Sequence, residues 1–177
     1  STLALLLAAW MTHSETNWGV TGSNGETMTK RKSCMLGAFS VSKTSLVSRF
    51  VHSLFSEKYH TTVGVKIDKK IVSVDGEDVS LLIWDIYGED DIQEVRMSYV
   101  RGASGYLLVA DGTRRDTLEI ARRIRKRVEA DIGSVPFVLL VNKADLTSEW
   151  TFDDELLDGL QADGWTVIRT SAKTGEG

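Results

Sequence analysis

Two long apolar runs limit the folds open to this sequence more than any other feature. GYLLVAD (residues 105–111) and PFVLLVN (136–142) each end in a polar residue, and the amphipathic stretch 116–132 lies between them. Uninterrupted apolar runs of this length are typical of parallel strands that helices cover on both faces. The three segments therefore predict a strand–helix–strand unit of an α/β protein.

The chain from Ser33 onward continues this alternation. Further strands are predicted at 33–37, 64–74, 78–86 and 164–170, and further helices at 43–56 and 153–163. Asp75-Gly76 supplies the positive φ of a tight hairpin turn, so the strands on either side of it are expected to pair antiparallel at one side of the sheet. The sequence thus predicts a mostly parallel six-stranded sheet with one antiparallel edge strand and helices on both faces.

Composition narrows the class of protein. With 177 residues, 42% of them hydrophobic, the chain can bury one substantial core, which indicates a single domain. The net charge of −4 gives no reason to expect a nucleic-acid partner. Cys34 is the one cysteine and lies in an apolar run, which favours a buried thiol in a reducing compartment.

The first 32 residues differ in composition from the rest. Residues 1–11 are apolar, but they are too few to span a bilayer and lack the basic start of a secretory signal. Residues 12–32 are rich in Ser, Thr, Asn and Gly without apolar periodicity, which predicts a flexible linker. The folded domain is therefore expected to comprise 33–177, and no transmembrane segment is predicted.

The loop after strand 33–37 has the spacing of a phosphate-binding loop. From Gly37 it reads G-x-x-x-x-S-K-T and leads into a helix, so backbone N–H groups, the helix N terminus and Lys43 can together surround a polyphosphate. Ser42 stands where such loops nearly always carry glycine. A plain strand-to-helix turn is the alternative interpretation.

Two other strand ends suit a guanine base. NKAD (142–145) follows a buried strand, at the edge where open α/β sheets bind ligands. The Asp145 carboxylate can accept hydrogen bonds from guanine N1–H and its 2-amino group, whereas adenine offers no matching pair of donors. SAK (171–173) follows the next strand. Taken alone, NKAD is equally an ordinary turn composition, and SAK is a weaker signal still.

A third strand end predicts a magnesium site. Asp85 in WDIYG (84–88) lies at the tip of an apolar strand, where its carboxylate can hold magnesium through water beside the Thr44 hydroxyl. Thr62, in the loop YHTTVG, can supply a second hydroxyl ligand. A threonine in a loop is usually only exposed to solvent. Thr62 is therefore a candidate ligand only because it accompanies Thr44 and Asp85.

Taken in this order, the segments resemble the Ras-like small GTPases, most nearly the Ras and Rab branches, over residues 33–177. The resemblance implies the P-loop small G-protein fold and a switch that binds GDP or GTP with Mg²⁺. The residues that it assigns to the nucleotide are Gly37, Ala38, Phe39, Ser40, Val41, Ser42, Lys43, Thr44, Ser45, Thr62, Gly88, Asn142, Lys143, Asp145, Ser171, Ala172 and Lys173.

The same resemblance implies catalytic and metal-binding roles. Lys43 would contact the β- and γ-phosphates and assist hydrolysis, with Glu89 at the position that orients the attacking water. Thr44 and Thr62 would ligate Mg²⁺ directly, and Asp85 would hold it through water.

Partners and location are also implied by the resemblance. Protein effectors and regulators would bind through the switch loops near Thr62 and Gly88, whose N–H senses the γ-phosphate. The family likeness implies a cytoplasmic monomer and leaves peripheral attachment to a membrane open.

Four positions depart from the family pattern. Phe39 and Ser42 replace glycines, so that a helper arginine is hindered and the β-phosphate is crowded. Tyr87 replaces a small residue, and Glu89 replaces a glutamine, so it cannot donate a hydrogen bond toward the γ-phosphate. We therefore expect binding with slow hydrolysis. The alternatives are a pseudo-GTPase scaffold, which Ser42 favours, and a P-loop kinase, against which Asp145 argues.

In the family, the segment matching 171–177 is followed by an amphipathic helix across the sheet. Residues 2–11 have the apolarity and nearly the length of that helix, and 12–32 can carry the chain back to the first strand. This arrangement is a circular permutation, which close chain ends allow. The alternative is an N-terminal extension that packs elsewhere.

Overall fold

The computed structural model describes residues 18–21, 27–53, 64–74, 76–86 and 97–177. These residues form seven β-strands and four α-helices. In chain order they are β1 (Trp18–Thr21), β2 (Thr27–Gly37), α1 (Lys43–His52), β3 (Val65–Val74), β4 (Glu77–Ile86), α2 (Met97–Val100), β5 (Gly105–Asp111), α3 (Asp116–Ile132), β6 (Phe137–Asn142), α4 (Asp154–Ala162) and β7 (Val167–Arg169).

Six of the described strands follow one another in a single sheet in the order β3-β4-β2-β5-β6-β7, and β1 joins the same sheet by pairing with β2. Neighbours from β4 to β7 pair in parallel, and β3 pairs antiparallel with β4 at one edge. Gly76, in the turn between β3 and β4, has a φ of 83°, which glycine adopts without steric cost; Asp75 lies outside the described residues. The predicted six-stranded sheet with its antiparallel edge is confirmed.

The N-terminal part of the sheet is larger than predicted. β2 begins at Thr27, and β1 pairs antiparallel with it from Trp18↔Lys30 to Thr21↔Thr27. The polar residues at the start of β2 also pair in parallel with β4 from Thr29↔Val79 onward. Backbone pairing on both sides explains why part of the predicted 12–32 linker is strand despite its composition. Residues 1–11 lie outside the described part of the chain.

Helices cover both faces of the sheet. Successive strand residues point to opposite faces, and Met35 lines a cavity together with Leu46 and Val47 of α1. Its neighbour Cys34 donates through Sγ to the Tyr99 carbonyl of α2 at 3.5 Å. α1 and α2 therefore lie on opposite faces. Burial raises the pKa of the Cys34 thiol to about 12, so the thiol stays protonated at neutral pH.

α1 ends earlier than predicted, at His52 rather than residue 56. Ser53 takes a left-handed conformation (φ 55°, ψ 30°), and its N–H bonds to carbonyls of the last helical turn, as at a helix C terminus. α2 is absent from the predicted helices, because its four residues are too few to show an apolar repeat. None of the described helices has the length and apolarity required to cross a membrane.

Candidate functional site

The loop after β2 is held tightly against β5. Gly37 has a φ of 155°, and a Cβ at this position would lie 2.4 Å from the Val109 carbonyl oxygen. No other residue type fits there without a backbone shift, because real Cβ atoms do not approach an oxygen so closely. The close approach of the loop to β5 therefore requires glycine at the first position of the predicted phosphate-binding loop.

Ser42 takes a backbone conformation that glycine adopts without steric cost. Its φ of 72° and ψ of 37° lie in the left-handed region, and its side chain makes no hydrogen bond at the N terminus of α1. Ser40 is also left-handed, with a φ of 62°. The serines at positions 40 and 42 therefore bend the loop at the cost of backbone strain.

Lys43 folds back over the loop. Its ammonium donates to the carbonyls of Gly37 at 3.1 Å and Ala38 at 2.8 Å, and the residue is 7% exposed. Burial lowers the pKa of Lys43 to about 8, although the nearby Asp85 carboxylate opposes this shift. A cation is thereby fixed inside the loop.

Thr44 and Asp85 meet beside this cation. The Thr44 hydroxyl donates to Asp85 Oδ2 at 2.5 Å, and Asp85 is buried at the end of β4. A hydroxyl and a carboxylate are hard oxygen ligands of the kind that Mg²⁺ prefers. The two side chains fit the predicted magnesium site.

Asn142 connects the loop after β2 with the loop after β7. It is 1% exposed, and its Nδ2 donates to the Val41 carbonyl at 3.2 Å. Its Oδ1 accepts from the Thr170 hydroxyl at 3.2 Å and from the Ala172 N–H at 3.3 Å. One side chain therefore positions both loops.

Asp145 lies next to the same loop. Its Oδ1 accepts a hydrogen bond from the Ser171 hydroxyl at 2.6 Å, and Ser171 is buried. The serine leaves the second carboxylate oxygen for another donor. Lys173 is exposed at the rim of the site.

Known proteins are similar to this chain over most of its length. The family model of the Ras family matches residues 32–177. The chain belongs to the Ras family. It is 36% identical over 149 residues to the Ras-related protein Rab-4 of Dictyostelium discoideum, covering 82% of this chain and 72% of that protein. It is 31% identical over 128 residues to the Ras-related protein Rab-32C of the same organism, covering 71% of this chain and 57% of that protein.

Membership of the Ras family confirms the predicted resemblance to its Ras and Rab branches. By family, this chain is a GTP-binding small GTPase, and its sheet is the one predicted for that class. In this Ras-family chain the loop 37–45 and residues Asp85, Asn142, Asp145 and Ser171 all lie at the carboxyl edge of the sheet, where open α/β sheets bind ligands.

Four predicted positions lie outside the described residues: Thr62, Tyr87, Gly88 and Glu89. Their roles stay predictions. The same holds for any contact that the segments 54–63 and 87–96 make with the site.

The Ras-family site contains three residues that the sequence analysis did not predict: Arg114, Asp111 and Arg49. The Arg114 guanidinium donates to the Phe39 carbonyl at 3.0 Å and lies 3.6 Å from the buried Asp111 carboxylate. The Lys143 ammonium lies 2.7 Å from the same carboxylate, and Lys143 is left-handed with a φ of 69°. The ends of β5 and β6 are thus joined to the loop after β2.

Asp111 is ionised in this cluster. Burial alone raises the pKa of its carboxyl, but the Lys143 ammonium and the hydroxyl and N–H of Thr113 outweigh burial, so the pKa lies below its usual range. Asp111 could have been identified from the sequence, because it is the polar residue that ends the apolar run 105–111. Arg114 follows Asp111 at i+3, a spacing that allows the two side chains to pair.

Arg49 is the third missed residue. It extends from α1, and its guanidinium donates to the carbonyls of Ala172, at 2.8 Å, and Lys173. Nothing in the sequence signals this contact, because Arg49 and Ala172 are brought together only by the fold.

Proposed function

We propose that the chain binds GDP and GTP with Mg²⁺ at this edge of the sheet and hydrolyses GTP slowly. The observation that carries the proposal is the position of Asn142 between the phosphate loop and the base loop. Because Asn142 holds these two loops at a fixed separation, the site suits a ligand with a phosphate group at one end and a base at the other. A nucleotide has both parts.

The phosphates would lie in the loop 37–45. Backbone N–H groups at the start of α1 and the Lys43 ammonium supply positive charge to them. Thr44 and Asp85 would hold Mg²⁺, with Thr62 as a further ligand. When bound, the ion neutralises charge that develops on the transferred phosphoryl group.

Base selection would rest on Asp145. The Ser171 hydroxyl donates to one carboxylate oxygen at 2.6 Å and so restrains the carboxylate that would meet N1–H and the 2-amino group of guanine. Ala172 and Lys173 would close over the base. Adenine offers no matching donor pair, so we expect a strong preference for guanine.

Slow hydrolysis follows from two side chains. Glu89 can accept a hydrogen bond from the attacking water but cannot donate one to the γ-phosphate. Phe39 would occupy space that a helper arginine needs to approach the phosphates. Switch segments around Thr62 and Gly88 would respond to the γ-phosphate and present a surface to effectors and regulators. We place the protein in the cytoplasm, with attachment to the face of a membrane compatible with its Rab relatives.

A second candidate is a pseudo-GTPase scaffold that does not cycle. The left-handed Ser42 favours it, because its hydroxymethyl group lies in the loop immediately before Lys43. In this case the protein would keep the fold and bind partners without nucleotide turnover.

Titration of the nucleotide-free protein with GDP, GTP and ADP in Mg²⁺ separates the two candidates. We expect GDP and GTP to bind at least about 100-fold more tightly than ADP, as a site built for specific hydrogen bonds allows. Single-turnover GTP hydrolysis should be slow and should accelerate in Glu89→Gln. No affinity for any guanine nucleotide would leave the scaffold as the function.

A further inference from the structure

Arg114 bonds to the phosphate loop at the peptide that precedes a strained serine. It lies in the loop between β5 and α3, and its guanidinium donates from Nη2 to the Phe39 carbonyl at 3.0 Å. The next residue, Ser40, has a φ of 62°, in the left-handed region that non-glycine residues seldom adopt. The bond therefore holds a peptide unit whose second residue is under backbone strain.

The orientation of this peptide unit decides where the Ser40 N–H points. A peptide unit is planar and trans, so its carbonyl and the N–H of the following residue point in opposite directions. While the Phe39 carbonyl faces Arg114, the Ser40 N–H points away from Arg114. A flip of the peptide unit would reverse both groups.

Such a flip would also relieve the strain at Ser40. It changes ψ of Phe39 and φ of Ser40 together, and it can bring Ser40 to the negative φ that residues with a Cβ prefer. The flip would break the hydrogen bond between the Phe39 carbonyl and a charged donor, and such bonds are stronger than those between neutral groups. Arg114 therefore opposes the flip.

We propose that Arg114 is a positioning residue that keeps the Phe39–Ser40 peptide oriented for phosphate binding. The inference rests on the proposed function, in which backbone N–H groups of the loop 37–45 contact the phosphates of the nucleotide. Arg114 acts through the loop, since its guanidinium is engaged by the Phe39 carbonyl. The guanidinium stays charged at any physiological pH, so this bond does not depend on titration of the arginine.

Asp111 anchors the Arg114 side chain. Arg114 Nε lies 3.6 Å from Asp111 Oδ2, and this carboxylate is buried at the end of β5. Thr113 fixes the other oxygen, because its N–H and its hydroxyl donate to Oδ1 at 2.9 and 2.7 Å. The Lys143 ammonium lies 2.7 Å from Oδ2. The guanidinium therefore reaches Phe39 from a carboxylate that is itself held in place.

The second strained serine of the loop has a matching contact. Ser42 has a φ of 72°, and the carbonyl of the residue before it, Val41, accepts a hydrogen bond from Asn142 Nδ2 at 3.2 Å. Both left-handed serines of the loop thus follow a carbonyl that is held by a side chain from beyond the loop. This repetition supports a role for Arg114 in the shape of the loop.

NMR of the nucleotide-free protein tests whether Arg114 holds this peptide. Arg114→Met keeps an unbranched side chain but has no hydrogen-bond donor. The matched control is Arg115→Met, because the Arg115 side chain is exposed and lies 3.9 Å from Asp153. We expect the ¹³C resonance of the Phe39 carbonyl to move upfield in Arg114→Met and to stay in place in the control. An unchanged resonance in Arg114→Met would overturn the proposal.

Titration with GDP and GMP in Mg²⁺ tests whether the peptide matters for phosphate binding. GMP has one phosphate and depends less on the loop than GDP does. Arg114→Met should lower GDP affinity by about tenfold, as for loss of a hydrogen bond to a charged group, and should change GMP affinity little. Equal losses for the two nucleotides would indicate a general structural defect and contradict a positioning role.

Ser40→Gly tests the link with backbone strain. Glycine populates both signs of φ about equally, so in a Ser40→Gly background Arg114→Met should lower GDP affinity by only about twofold. The same loss in both backgrounds would contradict the link. If the wild-type protein bound no guanine nucleotide, the proposed function would fail, while the Phe39 resonance would still decide whether Arg114 holds the peptide.

Discussion

Asn142 Nδ2 donates a hydrogen bond to the carbonyl of Val41 at 3.2 Å and thereby ties the end of β6 to the phosphate loop. Asn142→Ala removes this bond and two that Oδ1 accepts, so buried groups on two loops lose a partner. We expect a loss of about 2 to 4 kcal/mol in the free energy of unfolding, measured by urea denaturation. Gln161→Ala, an exposed position on α4, is the control; equal losses would contradict this role.

Ser42→Gly should stabilise the protein and raise its affinity for GDP. Glycine adopts the left-handed conformation without the steric cost of about 1–2 kcal/mol that serine has there. It costs about 0.5–1 kcal/mol in backbone entropy on folding. The expected net gain in the free energy of unfolding is therefore about 0.5–1 kcal/mol.

Ser53→Gly is the matched control for this prediction. Ser53 is left-handed as well, with a φ of 55°, but it ends α1 away from the phosphate loop. We expect a similar gain in stability with unchanged GDP affinity. If Ser42→Gly also leaves GDP affinity unchanged, crowding of the β-phosphate by Ser42 is wrong.

Asp145→Asn should change base preference. The amide keeps one acceptor and gains a donor, so it no longer complements N1–H and the 2-amino group of guanine but suits a base with oxygen at position 2, such as xanthine. We expect GDP affinity to fall by about 100-fold or more and xanthosine diphosphate affinity to rise. Competition binding measures both, with the exposed Asp158→Asn as control; retained GDP preference would remove Asp145 from the base site.

Asp111 should make stability depend on acid pH. Its folded pKa lies below the ordinary value of 3.8, so its stabilising effect is complete above that pH and is lost as the pH falls through the folded pKa. Asp111→Asn should lower the free energy of unfolding by about 2 kcal/mol at pH 7, a value between those typical of exposed and of buried ion pairs. The difference from wild type should shrink below about pH 4.

Urea denaturation at several pH values measures this dependence. Asp163→Asn, an exposed carboxylate at the end of α4, controls for the loss of one charge. A difference between wild type and Asp111→Asn that stays constant from pH 7 to pH 4 and below would show that the ion pair is not its source.

Much of the sheet and part of the site follow from local sequence. The runs 105–111 and 136–142 predicted β5 and β6 because strands buried on both faces need continuous apolar residues. α3 is predicted because Ile120, Ile124 and Val128 repeat on one face, and it spans the predicted residues. The strand ends also predicted Asp85 and Asn142.

The remainder depends on contacts between distant parts of the chain. The residues of β2 before Ser33 are polar except Met28, and their strand conformation comes from pairing with β1 and β4. Arg49 is separated from Ala172 by 123 residues. Arg114 contacts Phe39 across 75 residues. Patterns of apolar spacing carry no information about such polar contacts.

Mass spectrometry of the nucleotide that co-purifies with the protein, before and after treatment with EDTA, tests the central claim most directly. We predict guanine nucleotide in equal molar amount to the protein in Mg²⁺, and its release by EDTA, because Thr44 and Asp85 would lose the ion that they hold. An adenine nucleotide, or an empty protein that also fails to take up GDP in Mg²⁺, would contradict the account.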